Sequence, residues 1–160
     1  MFYIFGFYKF EKISGLKRLK KIFQSKLIKS NIRGTIIFSN EGINGTISGK
    51  KNNIQKFKKS LMSICKIKNF DSENNSKSNF HPFHRAKVKI KKEVVPIGIN
   101  ILKSNKTNNY IEPKKWNSLL KEKNIKIIDA RKPFEYKVGT FKGAENPKVN
   151  HFRDFPKYLK

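Results

Sequence analysis

This sequence has a single cysteine, few acidic residues and no long apolar run. Cys65 is its single cysteine, which excludes a disulfide within the chain and is typical of a reducing compartment. No segment approaches the roughly 20 consecutive apolar residues of a transmembrane helix. The apolar start, residues 1–10, has no basic segment or small-residue cleavage site and is interrupted by Lys9, so it favours a buried strand over a signal peptide. These features predict a cytoplasmic protein without a membrane partner.

The charge of the chain is strongly one-sided. It has 37 lysine and arginine residues against 11 aspartate and glutamate residues, a net charge of +26. Such a balance favours a polyanionic partner such as tRNA, rRNA or DNA. Nearly all of the basic residues are lysine, however, and lysine, asparagine and isoleucine enriched together are also typical of an A+T-rich coding sequence. The charge therefore has two explanations, one functional and one compositional.

A predicted hairpin lies at the centre of the first hundred residues. Residues 35–38 and 43–47 are rich in β-branched side chains, and a short connection separates them. Glu41 and Asn44 are unusual here, because a tight turn needs only the glycines. Their polar side chains either cap backbone groups locally or face a ligand. The residues expected to supply the positive φ of the turn are Gly42, Asn44 and Gly45.

Two amphipathic helices flank this hairpin. The first follows Ser14 and ends near Asn31, and the second covers residues 54–65, with Cys65 on its apolar side. A buried structural thiol is the favoured role for Cys65, because only scattered lysines are near enough in sequence to lower its pKa. Residues 71–79 are polar and predict a loop.

A strictly alternating segment, residues 85–91, predicts a half-buried strand with Ala86, Val88 and Ile90 inward. Its lysines then form a row spaced by roughly 6 to 7 Å, which can follow a nucleic-acid backbone. Lysines that block aggregation at a sheet edge are an equally good explanation. The lysines of the row are Lys87, Lys89 and Lys91.

The predicted order of elements is strand, helix, strand, strand, helix, strand. This order predicts an α+β domain with the ferredoxin-like βαββαβ plan, which RNA-recognition and acylphosphatase domains share. The aromatic RNA-recognition signature is missing from the third strand, residues 43–48. We place the domain boundary near residue 105, giving residues 1–105 as the first domain and residues 106–160 as a linker with the start of a second.

The second segment contains a different pattern. Pro113 falls in the first turn of a predicted helix, and residues 125–128 predict a short buried strand. That strand ends in Asp129-Ala130-Arg131, followed by Glu135 and then by the glycine-containing residues 139–144. A strand ending in Asp-X-Arg, then Glu, then Gly-X-Phe-X-Gly-Ala resembles the opening of an α/β rhodanese domain.

Further motifs extend the resemblance over almost the whole chain. In their joint order and spacing they resemble the bacterial tRNA uridine(34) hydroxylase family, rhodanese-related proteins with an N-terminal acylphosphatase-like domain. The motifs are residues 41–46, 82–85, 91–93, 116–117 and 152–156.

The resemblance implies oxygen-dependent conversion of the wobble uridine of certain tRNAs to 5-hydroxyuridine. Molecular oxygen is then a co-substrate, no other cofactor is identified, and the anticodon arm of tRNA is the partner. The reactive cysteine is expected in a rhodanese loop beyond Lys160, so no catalytic residue is predicted within these residues, which we expect to be inactive alone. Asp129, Arg131 and Glu135 are expected to pair and brace the rhodanese frame. The candidate RNA contacts are Arg33, His84, Arg85, Lys87, Lys89 and Lys91.

Other interpretations remain open on the sequence. A non-catalytic RNA-binding module and a sulfurtransferase-like rhodanese protein are the two alternatives to the hydroxylase. His81 and His84 have the spacing of metal ligands, but suitable further ligands are not evident, so no metal site is predicted. His84 and Arg85 then contact either RNA or the adjoining domain.

Overall fold

The computed structural model describes residues 1–98 and 111–159. Residues 1–95 belong to one compact unit, and the described residues from Pro96 onward belong to a second. The predicted domain boundary near residue 105 lies outside the described residues.

The first unit is a five-stranded sheet with two helices. The sheet order is β4-β1-β3-β2-β5. Pairing is antiparallel between β1 and β3, β1 and β4, and β2 and β3, whereas β5 runs parallel to β2. The first four strands and two helices thus have the predicted ferredoxin-like plan. In chain order the elements are β1 (Phe2–Phe10), α1 (Leu16–Lys29), β2 (Arg33–Ser39), β3 (Gly42–Gly49), α2 (Lys51–Cys65), β4 (Ser72–Ser78) and β5 (Ala86–Ile90).

Both helices pack on one face of the sheet and enclose an aromatic and aliphatic core. Phe23 of α1 lies at its centre, with its ring centroid 5.6 Å from that of Phe38 and 5.7 Å from that of Phe57. Asn31 ends the α1 region in the predicted left-handed conformation, with φ of 49°. The core strands contribute Phe5, Phe7, Ile36, Phe38, Ile43 and Ile47.

The β2–β3 hairpin forms as predicted, but its glycines act differently from the prediction. Of the three residues expected to adopt positive φ, Gly42 alone does so, and a Cβ there would lie 2.1 Å from the carbonyl oxygen of Lys9. Asn44 and Gly45 lie within β3 itself. Gly45 is needed for space, since a Cβ would lie 2.8 Å from the ring of Phe7.

The predicted loop at residues 71–79 is wrong. Ser72–Ser78 forms β4, which pairs with β1 from Tyr8 to Phe2 although it carries no apolar side chain. Its start is fixed by Asp71, whose carboxylate accepts hydrogen bonds from the backbone N–H of Phe10 at 2.7 Å and from Lys9 Nζ at 2.9 Å. β4 therefore forms because its backbone hydrogen-bonds to β1, and not because its side chains follow a hydrophobic pattern.

The alternating segment is a fifth strand and not the fourth, as the sequence suggested. Ala86–Ile90 adds parallel to β2 at the edge opposite β4. Val88 is buried as predicted, but Ile90 is 37% exposed because it stands at the border of the covered area. Gln24 of α1 fastens the strand, since its side-chain amide donates to the Ala86 carbonyl and accepts from the Val88 N–H, both at 2.9 Å.

In residues 111–159, the second unit has short helices and one isolated β-bridge. The predicted buried strand at residues 125–128 is wrong, since only Ile128 forms a parallel bridge, with Glu145, and Ile125 is 37% exposed. Within the described residues this segment finds one partner residue, too little for a strand. In the described ranges, no helix is long and apolar enough to cross a membrane. The helices are α3 (Pro113–Leu119), α4 (Pro133–Val138), a 3₁₀ turn (Phe152–Asp154) and α5 (Phe155–Tyr158).

Candidate nucleic-acid interface

The sheet face opposite the helices of the first unit carries a basic border. Side chains alternate along a strand, so residues that neighbour the core positions of β2 and β5 point to this second face. Lys87 stands beside Thr35 and Lys89 beside Ile37 in the parallel register, and Arg33 begins β2 on the same side. Two lysines of the predicted row, Lys87 and Lys89, therefore lie on one face at one edge together with Arg33, whereas the third, Lys91, follows the end of β5.

The connection from β4 to β5, residues 79–85, must cross the whole sheet, because these strands occupy opposite edges. Four inter-strand spacings of about 4.8 Å amount to about 19 Å. Eight residue steps reach at most about 26 to 29 Å, so the connection is long enough for this crossing only in a largely extended conformation. His81 fixes its middle, with Nδ1 at 3.0 Å from Ser48 Oγ and its ring centroid 4.5 Å from that of Phe2.

The environment of His81 favours a neutral ring. Burial lowers its pKa, the positive charge of Arg33 lowers it further, and the nearby backbone of Asn31 acts in the opposite direction. A neutral imidazole can share one hydrogen bond with the Ser48 hydroxyl without an unpaired buried charge. His81 thus serves as an anchor for the crossing segment.

Beyond this anchor the segment and the strand edge border an open surface pocket of about 470 Å³. One wall is the crossing chain, which the Gly34 N–H holds by donating to the Arg85 carbonyl at 2.8 Å. Apolar surface and cations meet here, a combination that suits an anionic ligand with a flat apolar part. The lining residues are Gly34, Thr35, Pro82, Phe83, His84, Arg85 and Lys87.

The structure distributes the six candidate RNA contacts over one neighbourhood. His84, Arg85 and Lys87 line the pocket, while Arg33 and Lys89 point to the same sheet face. Lys91 follows β5 and donates its backbone N–H to the Phe38 carbonyl at 2.9 Å.

Sequence reasoning missed Phe83 and Thr35 as members of this neighbourhood. The signal for Phe83 was its place in the Pro82-Phe83-His84-Arg85 motif, an aromatic residue directly before two basic ones. Thr35 had no signal, because its position opposite Lys87 depends on the unforeseen parallel pairing.

The two unusual hairpin residues have separate environments. Glu41 Oε1 accepts a hydrogen bond from the Val94 N–H at 2.7 Å, so this carboxylate caps a backbone group of a distant segment of the same unit. Asn44 lies in the middle of β3, opposite Tyr8 and Ile37.

Cys65 ends α2 in a partly buried position, where burial raises the pKa of its thiol to about 12. Because the thiolate is the nucleophilic form, this cysteine is unreactive near neutral pH.

The charged residues of the second unit form a network around Asp129. Its carboxylate receives bonds from Arg131 Nη2 at 2.6 Å, from Arg131 Nε at 2.9 Å and from Thr140 Oγ1 at 2.8 Å. Hydrogen bonding to Arg131 holds the pKa of Asp129 well below its usual range. Arg131 also donates to the Gly139 carbonyl at 2.6 Å, so the pair ties residue 129 to the end of α4.

Glu135 lies in the first turn of α4 and accepts from the Lys132 N–H at 3.2 Å, as a helix-capping carboxylate does. Among residues 1–98 and 111–159, no group of three or more histidine, cysteine, aspartate or glutamate side chains is placed to hold a metal ion. The bonds of Arg131 to the Gly139 carbonyl and of Glu135 to the Lys132 N–H link separate parts of the backbone, as structural contacts do.

Comparison with known proteins agrees with the fold of the first unit. The family model described as the UPF0176 acylphosphatase-like domain matches residues 2–94. The chain belongs to this family.

A relative named tRNA uridine(34) hydroxylase, from Pelagibacter ubique (strain HTCC1062), is 58% identical over 159 residues. The alignment covers 99% of this chain and 53% of the relative, so the chain spans about half the length of that protein.

Solved structures similar to this chain include two acylphosphatases. The enzyme from Bacillus subtilis is 12% identical with a TM-score of 0.41, covering 57% of this chain and 100% of that one. The enzyme from Coxiella burnetii is 11% identical with a TM-score of 0.38, covering 54% and 90%.

Proposed function

We propose that this chain acts in the hydroxylation of the wobble uridine of tRNA and that its first unit, residues 1–95, holds the tRNA. The observation that carries the proposal is the 58% identity to a tRNA uridine(34) hydroxylase over 99% of the chain. The identity extends over both units, so it is not a likeness of one fold element.

The basic sheet border supports the assignment of RNA contacts. Arg33, Lys87 and Lys89 share one face, and His84 and Arg85 lie beside them on the crossing segment. Cations in a row neutralise successive phosphates and release counterions, which gives affinity without sequence preference. We assign this border to the anticodon arm, the part of tRNA that contains the wobble uridine.

The second unit is proposed as the start of a rhodanese domain. Its Asp129–Arg131 pair and the Glu135 cap hold the backbone in place. Molecular oxygen is the proposed co-substrate. The reactive cysteine of the proposal lies outside these residues, and Cys65 does not replace it because burial raises its pKa.

Binding of tRNA at several salt concentrations tests the first step. The chain should bind tRNA with an affinity that falls steeply with salt, and K87E/K89E should weaken binding and reduce the salt slope by about 1 for each lost phosphate contact. The matched control is K20E/K21E, the same charge change on exposed residues of α1. Equal weakening by both double variants would show non-specific charge attraction and contradict the assigned border.

Mass spectrometry of tRNA incubated with the chain under oxygen tests the chemistry. Formation of 5-hydroxyuridine by the chain alone would overturn our expectation that the reactive group lies elsewhere. Specific tRNA binding without product is the expected result, and it is also what a non-catalytic RNA-binding module gives. Restoration of the product when the remaining part of a full-length relative is supplied separates the two functions.

A further inference from the structure

We propose that the pocket between the crossing segment and β5 binds a single unstacked nucleotide of the RNA, with its base against Phe83 and its phosphate at Arg85 and Lys87. The inference rests on the proposed function, since it names the part of the RNA that the basic border holds. It goes beyond it by assigning a base-binding site to the first unit.

The size and lining of the pocket suit a nucleotide. Its volume of about 470 Å³ falls within the range of roughly 300 to 1,000 Å³ of small-molecule sites. Pro82 and Phe83 provide apolar surface, and the hydroxyl of Thr35 provides a donor and an acceptor. Proteins bind unstacked bases in this way, with an aromatic ring against the base and a few polar groups at its edge.

Cations stand where the phosphate of such a nucleotide would lie. Arg85 and Lys87 are exposed residues that line the pocket, together with His84. Lys89 continues along β5 from Lys87 at the two-residue repeat of roughly 6 to 7 Å, and Lys91 directly follows the end of the strand. Single-stranded RNA with one base in the pocket can therefore place its following phosphates along the lysine row. A small isolated anion would contact none of these further lysines.

The pocket is held in shape by contacts within the first unit. The Ser48 and Phe2 contacts of His81 fix the middle of the crossing segment, and the Gly34–Arg85 backbone bond fixes its end next to β5. Gly34 itself is required by the neighbouring strand β3, because its φ is 125° and a Cβ would lie 2.2 Å from the Thr46 carbonyl oxygen. A preformed pocket spares the ligand the entropic cost of ordering the loop.

The test compares single-stranded with double-stranded RNA. A fluorescently labelled uridine-rich octamer and the duplex of that octamer are titrated with the full chain and followed by anisotropy. Phe83→Ala should weaken octamer binding about 5- to 150-fold, the factor that corresponds to loss of one base–aromatic stack. Duplex binding and the salt slope should stay unchanged, because no phosphate contact is removed.

Three variants separate the base site from general effects. Phe83→Tyr keeps the ring and should restore octamer binding. Phe80→Ala removes an aromatic side chain of the same segment that is 70% exposed and does not line the pocket, so it should leave binding unchanged. Arg85→Gln should reduce the salt slope by about 1.

The outcomes that contradict the nucleotide site differ from the outcome that contradicts the proposed function. Equal losses for Phe83→Ala and Phe80→Ala, or equal losses on octamer and duplex, would overturn the nucleotide site. Competition by an oligoglutamate peptide but not by uridine monophosphate would overturn it in favour of an acidic protein partner. Absence of any binding to tRNA or octamer would instead overturn the proposed function on which the inference rests.

Discussion

The two edges of the sheet are built in opposite ways. β4 is polar and exposed along most of its length, and β5 alternates between a buried Val88 and exposed lysines. The difference follows from the helices: α1 packs on β2 and β5, and α2 packs on β1 and β3. A covered edge requires an apolar side, whereas an edge outside the cover requires only hydrogen-bond partners.

The side-chain contacts that hold the two edge strands, β4 and β5, also differ. β4 is held at its start by a largely buried ion pair, since the side chains of Lys9 and Asp71 are 10% and 15% exposed and their charged atoms lie 2.9 Å apart. β5 is held by one neutral side chain, Gln24, which pairs with the backbone as a neighbouring strand would. Charge therefore secures one edge, and an amide secures the other.

Asp71→Ala should have the largest effect on this comparison. It removes the carboxylate that pairs with the largely buried ammonium of Lys9, which keeps its 3.3 Å bond to Asn69, and it removes the bond from the Phe10 N–H. Breaking a fully buried ion pair costs about 3 to 5 kcal/mol, so the loss should approach that range. Urea unfolding of the full chain followed by far-ultraviolet circular dichroism gives the loss, and hydrogen exchange should show it first in β4. The double variant Lys9→Met/Asp71→Ala should recover part of the stability, because no charge stays buried. A loss below 1 kcal/mol would show that the ion pair does not secure the edge.

Gln24→Leu should have an intermediate effect, on the other edge. Loss of the two bonds to Ala86 and Val88 is expected to reduce stability by about 1 to 2 kcal/mol and to speed exchange of the Val88 amide hydrogen. Gln24→Glu keeps the acceptor for Val88 but cannot donate to Ala86, so its effect should lie between those of wild type and Gln24→Leu. Unchanged exchange at Val88 in Gln24→Leu would contradict the role of the amide.

Asn75→Val should stabilise the polar edge by up to about 1 kcal/mol. Asn75 is exposed in β4 opposite Phe5, and a β-branched side chain suits a strand better than asparagine. The midpoint of urea unfolding should rise with an unchanged slope. Destabilisation instead would show that polar side chains in β4 contribute contacts beyond strand pairing.

Glu73→Gln should have the smallest effect. Its ion pair with Lys58 is short, at 2.6 Å, but both side chains are about a third or more exposed. Such surface pairs contribute about 0.2 to 1 kcal/mol, and Lys58 keeps its place over the Phe5 ring. If Glu73→Gln lowered the free energy of unfolding as much as Asp71→Ala does, the exposed Lys58–Glu73 pair would matter as much as the Lys9–Asp71 pair, against our expectation.

These contrasts explain which predictions succeed. The helices, the first strand and the hairpin follow from periodicity, because each buries an apolar side against the same core. β4 could not be found that way, since its side chains carry no pattern and its position depends on the carboxylate of Asp71 and on the free edge of β1. The row of β5 lysines was predicted correctly as an exposed row, but its place next to β2 was not.

The candidate site was partly predictable for the same reason. Basic residues at spacing two must share a face of a strand, so the sequence indicates the row Lys87–Lys89. The pocket requires the crossing segment to be held by Ser48 and Phe2, which are far from it in sequence. Phe83 gains its role from that fixed path.

Residue type and short spacings were enough to predict the two long helices, the first strand, the hairpin, the basic character of the chain and the motifs that resemble its family. The tertiary structure alone decided which strand stands beside which, and therefore where the polar strand pairs and where the pocket opens. Strand pairing depends on backbone groups that every residue carries, so side-chain patterns cannot specify it where neither face is covered.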